Sequence, residues 1–108
     1  MEQRRTRRFK LHLPLSITRS GTERIEHDGY TTNISSSGVL FTTSRQPDLG
    51  GQIEYIIALK LDGSESVNLR CIGKVLRTDR VPLDDPNPGF QIAATLERYE
   101  FVRDRPAI

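Results

Sequence analysis

The sequence predicts an all-β fold, a six-stranded antiparallel β-barrel with a short C-terminal helix. Apolar residues recur at every second position in several separate runs, turn-forming residues divide those runs at short intervals, and helical spacing occurs only at the tail. With 108 residues the chain fits one domain, because a second core would have too few residues to bury. A hydrophobic share of 35% and a mean hydropathy of −0.49 fit one thin core beneath a large solvated surface. Residues 1–108 therefore read as a single domain in which 1–8 form a flexible basic arm.

Phe9, Leu11, Leu13, Leu15 and Ile17 alternate with Lys10, His12, Pro14 and Ser16, which predicts a first, half-buried strand. Pro14 has no N–H to give to a ladder, so its side of that strand should be an edge, a bulge or a barrel seam. Tyr30, Thr32 and Ile34 alternate into a second strand, Ser35-Ser36-Ser37-Gly38 turns the chain, and Val39 to Thr43 completes a hairpin. Pro47, Asp48, Gly50 and Gly51 mark the next turn, after which Ile53, Tyr55, Ile57, Leu59 and Leu61 share one face of a fourth strand. Asp62-Gly63 is a preferred hairpin turn, since both residues tolerate positive φ. Val67, Leu69, Cys71, Gly73 and Val75 then alternate along a fifth strand, in which Gly73 marks a bend or bulge. The Pro-rich stretch from Val81 to Gly89 reads as a loop, and Phe90, Ile92, Ala94 and Leu96 as the last strand. Leu96, Tyr99 and Val102 follow helical spacing among Glu97, Arg98, Glu100, Arg103, Asp104 and Arg105, which predicts the C-terminal helix. Regularly spaced antiparallel strands favour closure, which removes exposed edges, with a two-sheet sandwich as the alternative.

The lone Cys71 cannot form an internal disulfide, and neither an apolar leader behind Met1 nor a run of about 18 apolar residues is present. A cytoplasmic protein without membrane insertion is expected. The formal net charge is only +2, yet Arg4, Arg5, Arg7, Arg8 and Lys10 crowd the first ten residues against Glu2 alone. Several guanidiniums on one short segment suit an anion, because their planar forks give paired, charge-assisted hydrogen bonds to phosphate. The same fork matches O6 and N7 of guanine, and its flat face stacks on a base. A solvated basic tail is the plain alternative.

A second polar element is Asn33-Ile34-Ser35-Ser36-Ser37-Gly38. Asn33 and Ser35 lie two apart, so on a regular strand they share a face and present an amide and a hydroxyl to one ligand, while Gly38 allows positive φ or close backbone approach. An ordinary serine-rich turn is the alternative here. Catalysis is not expected: Ser35, Ser36 and Ser37 with His12, His27 and Asp28 lack a nucleophile elbow. Asp84 and Asp85 in a Pro-rich loop should face water rather than hold a metal, Cys71 reads as a core residue, and His12 and His27 as surface residues. A nucleic-acid-binding barrel would display aromatic stacking platforms, whereas the three Tyr and four Phe, with no Trp, fall mostly at core positions.

Taken together, Arg4 to Arg8 as an R-x-x-x-R element, a strand, and N-x-S-x-x-G from Asn33 to Gly38 resemble the PilZ domain family. The family's second motif is D/N-x-S-x-x-G, so Asn33 is an accepted variant, and Val39-Leu40-Phe41 fits the apolar strand that follows. Cys71 to Val75 and Gly89 to Ile92 are similar, more weakly, to its fifth and sixth strands. The resemblance implies a six-stranded barrel that binds the bacterial second messenger cyclic di-GMP, with the arm folding over the ligand. By position it assigns Arg4, Arg5 and Arg8 to phosphates and guanine, and Asn33, Ser35 and Gly38 to a guanine edge and backbone; Arg7 falls at a variable position. The implied role is a non-enzymatic sensor without cofactor that signals to a protein effector, the alternative being a PilZ-like interaction module without nucleotide binding.

Overall fold

A computed structural model describes residues 11–60, 66–81 and 89–104. The strands are β1 (Pro14–Ser20), β2 (Glu23–Ile34), β3 (Gly38–Thr43), β4 (Gln52–Lys60), β5 (Ser66–Arg80), β6 (Phe90–Thr95) and β7 (Arg98–Asp104). All pairings are antiparallel, and the order β4-β1-β2-β3-β6-β5 closes through β4–β5 into a six-stranded barrel.

Alternation fills the barrel. Leu15, Ile17, Val39, Phe41, Ile53, Tyr55, Ile57, Cys71, Val75, Ile92 and Ala94 form one buried cluster, and Phe41 and Tyr55 stack at a tilt near its centre with ring centroids 5.8 Å apart. The predicted inward faces of the fourth, fifth and sixth strands thus hold over the described residues, and in the third strand Val39 and Phe41 face inward. Two polar groups are satisfied within this interior. The Tyr55 phenol donates to the Thr95 carbonyl at 3.0 Å, and the Thr31 hydroxyl accepts from the Leu13 amide at 2.9 Å while donating to the Leu11 carbonyl. Buried polar atoms need such partners, and Thr31 thereby ties the incoming chain to β2.

Four expectations change. Residues 98–104 form strand β7 rather than a helix: β7 pairs Ser66 to Ile72 of β5, in the register by which β6 pairs the other end of that strand. Open N–H and C=O groups along β5 and the β-favouring Tyr99, Phe101 and Val102 outweigh three residues at helical spacing. The first strand begins at Pro14, whose missing N–H suits the first strand position: Pro14 pairs Tyr30 of β2, whereas pairing with β4 starts at Leu15. In β2 the inward residues before the turn are Ile25, His27, Gly29 and Thr31, so Tyr30 faces outward. His27 is half-buried, and its Nδ1 is shielded without a partner among the described residues.

Gly73 marks a close approach. A Cβ there would lie 1.8 Å from the Thr95 carbonyl oxygen, at the break between β6 and β7 where the Glu97 amide bonds to Ile72 O at 2.9 Å. Outside the barrel, Arg70 joins three strands through Glu54 of β4 at 2.9 Å and Glu100 of β7 at 3.2 Å. Burial raises the Glu54 pKa, but hydrogen bonds from Arg70 and Thr18 and the charges of Arg70 and Arg19 bring it below the usual value. The Asp62-Gly63 turn, Leu61 and the loop residues 82–88 lie outside the described residues.

Candidate ligand-binding groove

The groove is set by two one-residue bulges. In β2, Thr31 pairs Phe41 but Asn33 pairs Leu40, so Thr32 is an extra residue, its hydroxyl donating to Leu40 O at 3.1 Å. On a regular strand Asn33 would point inward with Thr31; the bulge puts it outside and returns Ile34 to the core side. In β5, Val75 pairs Ala94 but Arg77 pairs Ala93, leaving Leu76 extra. Val75 is buried, while Leu76, 63% exposed, and Arg77 both face outward. Asn33, Leu40, Ala93 and Arg77 consequently form one cross-strand row over β2, β3, β6 and β5. Three inter-strand spacings separate its ends, about 14 Å along the sheet.

A cavity of about 240 Å³ lies over this row, walled by Asn33, Ser35, Ser37 and Gly38 on one side and by Leu76 and Arg77 on the other. The Asn33 amide has no hydrogen-bond partner among the described residues, and is free for a ligand. Ser35 differs. Its Oγ accepts from the amides of Gly38 at 3.1 Å and Ser37 at 3.3 Å, and lies 3.2 Å from Gly38 O as a donor, so the hydroxyl builds the turn. These partners and the Ser37 hydroxyl at 3.4 Å include no general base. Gly38 serves close approach rather than positive φ, since a Cβ would meet Ala94 O at 3.0 Å and, among the described residues, only Gly21 and Gly50 have positive φ. The Leu96 amide bonds to Ser37 O at 2.9 Å, fixing the far side of the turn.

The chain enters the barrel beside this turn. Leu11 and Leu13 are bound to Thr31, two residues before Asn33, and His12 stacks flat on the outward Tyr30 with ring centroids 4.6 Å apart. Arg4, Arg5 and Arg8 lie outside the described residues. The structure thus brings together Asn33, Ser35 and Gly38, and adds Leu76, Arg77 and Ala93, which the sequence reading missed. A signal existed on one wall: charged Arg77 stands at an odd position that the alternation of Val67, Leu69, Cys71, Gly73 and Val75 assigns to the core, the mark of a phase change. Among the described residues, no group of three or more His, Cys, Asp or Glu is placed to hold a metal ion.

A small antiparallel barrel with a polar turn opening onto an outward groove is the class that fold and site define. The PilZ domain model matches residues 2–101, and the chain belongs to the PilZ family. Among solved structures it is similar to the Bacillus subtilis inhibitor of motility MotI/DgrA, with a TM-score of 0.71 and 16% identity, over 93% of this chain and 44% of that one. At that identity the likeness is one of fold, and the chain spans less than half of that protein's length. No curated protein matches the sequence.

Proposed function

We propose that this chain is a cyclic di-GMP receptor domain without catalytic activity, acting in the cytoplasm, whose ligand-bound surface signals to a protein effector. The observation that carries the reading is the groove itself: the N-x-S-x-x-G turn projects the Asn33 amide, without a partner among the described residues, outward beside the point where Leu11 and Leu13 are tied to Thr31 of β2. Family membership supports it. Arg8 precedes Leu11 by three residues, which span at most about 11 Å when extended, so the sequence keeps it within that distance of Leu11, whose carbonyl is bound by Thr31 two residues before Asn33. In this reading Arg4, Arg5 and Arg8 take phosphates and guanine, Asn33 takes a guanine edge, and Ser35 and Gly38 hold the turn backbone that faces the ligand. MotI/DgrA is an inhibitor of motility, and control of another protein is the kind of output proposed here.

Calorimetry with cyclic di-GMP tests this. Saturable binding is expected, weakened by Arg8→Ala by about ten- to two-hundredfold, the loss of a charge-assisted bidentate contact, and much less by Arg7→Ala. Absence of heat at high micromolar ligand rejects the receptor reading. Equal losses from both substitutions reduce the arm to a nonspecific basic tail.

A further inference from the structure

We propose that Arg77 is a ligand-contacting residue on the wall of the groove opposite Asn33, and that Asp79 holds its guanidinium until a ligand phosphate displaces the carboxylate. The inference rests on the cyclic di-GMP reading and extends it to a strand outside the two polar motifs. Its first support is backbone geometry. The extra residue Leu76 turns Arg77 from the core side to the outer face, and bulges near binding sites re-aim side chains in this way. The second is placement. Arg77 ends the row that begins at Asn33, and the floor between them is kept low by Ala93, so a flat ligand can lie across β3 and β6 and reach both walls. Third, Arg77 is the one cation among the groove's described lining residues, while the proposed ligand carries two phosphates.

The ion pair supplies the exchange. Arg77 Nε lies 3.0 Å from Asp79 Oδ2, and the two side chains are 65% and 54% exposed. A pair this open is weak in water, so an anionic ligand competes for it readily. The carboxylate engages Nε; the terminal amino groups have no carboxylate partner among the described residues and remain available as a fork. Asp79 is therefore both a brake on affinity and a guide that holds the guanidinium along the rim.

Calorimetric titration of cyclic di-GMP into the full chain, with melting temperatures measured beside it, tests the idea on wild type and five variants. Against wild type, Arg77→Ala is expected to weaken binding by about ten- to a hundredfold and Arg77→Lys by less, since lysine keeps the charge but loses the fork. Asp79→Asn is expected to tighten binding by about three- to tenfold, and this gain should vanish in the Arg77→Ala/Asp79→Asn double variant. Arg80→Ala removes an equal charge three residues along the same strand, outside the groove lining, and should change affinity less than twofold. If wild type binds and Arg77→Ala matches it within twofold, or Arg77→Ala and Arg80→Ala lose equally, the proposal is overturned while the receptor reading stands. If Asp79→Asn weakens binding, the displacement is wrong. No binding by wild type removes the receptor reading itself.

Discussion

Ser35 and Asn33 sit two residues apart and do different work. The Ser35 hydroxyl closes the turn through the Ser37 and Gly38 backbone, whereas the Asn33 amide faces the groove without a partner among the described residues. Ser35→Ala should therefore cost about 1–2 kcal/mol, seen as a fall of roughly 4–8 °C in Tm per kcal/mol, and Asn33→Ala should weaken ligand binding with Tm nearly unchanged. Thermal melts and titrations of both variants check this; a Ser35→Ala protein that melts like wild type would show that the turn does not need the hydroxyl. The motif was legible in the sequence, but this division of labour was not, because spacing alone cannot show which hydroxyl the backbone consumes. Deeper in the barrel, burial pushes the Cys71 thiol from 9.0 up to about 12, and burial, with smaller effects of Cys71 and Glu97, raises the Tyr55 phenol as well. Both pKa values are raised on folding, so their contribution to stability is complete below the unfolded values and is lost as pH rises. The unfolded chain releases the Cys71 proton near pH 9 while the native state keeps it to about 12. Urea midpoints should hold level from about pH 7 to 8.5 and fall above about 9, with a later fall in Cys71→Ala; an unchanged onset in that variant would remove Cys71 as the cause.

At the scale of elements, β7 and the far part of β6 pair β5 in one register, from which Val75–Ala94, between the bulge at Leu76 and the break at Leu96-Glu97, is offset by one residue. Gly73 lets the break come close. A methyl there would stand 1.8 Å from Thr95 O and 2.7 Å from its carbonyl carbon, so Gly73→Ala must displace backbone, at a cost of roughly 3 kcal/mol, the upper range for overpacking. Gly38→Ala, with a single contact at 3.0 Å, should cost clearly less. Denaturant melts of the two variants rank these sites, and equal stability would mean that the seam yields where the structure shows it tight. Gly73 stood out in the sequence as an irregularity within an alternating strand, and that reading located the close approach but placed the bulge three residues early. The C-terminal strand was misread for a physical reason. Leu96, Tyr99 and Val102 have helical spacing, but Tyr99 and Phe101 also alternate, and the open edge of β5 decides between the two. That choice leaves Tyr99 60% and Phe101 65% exposed as an edge-to-face pair with centroids 6.2 Å apart.

For the whole molecule, closure is the organising fact. Alternation and turn residues reveal the strands one by one, yet the pairings that close the ring, β1 with β4 and β3 with β6, join segments distant in sequence. No local pattern specifies them, and what made the barrel legible was the general cost of leaving sheet edges open. The groove was only half legible for the same reason, since its Asn33 wall lies in a recognisable motif while its Arg77 wall comes from a strand brought alongside by closure. Both walls owe their orientation to one surplus residue each, Thr32 and Leu76. The site thus behaves like a reading frame. Deleting Thr32 would leave every groove amino acid in the chain and yet turn Asn33 to the wrong side of the sheet, deleting Leu76 would do the same to Arg77, and grafting the same polar residues onto a regular barrel would send Asn33 and Arg77 into the core. In this fold a binding surface is written partly in strand length, and a frameshift of one position erases it as surely as a substitution.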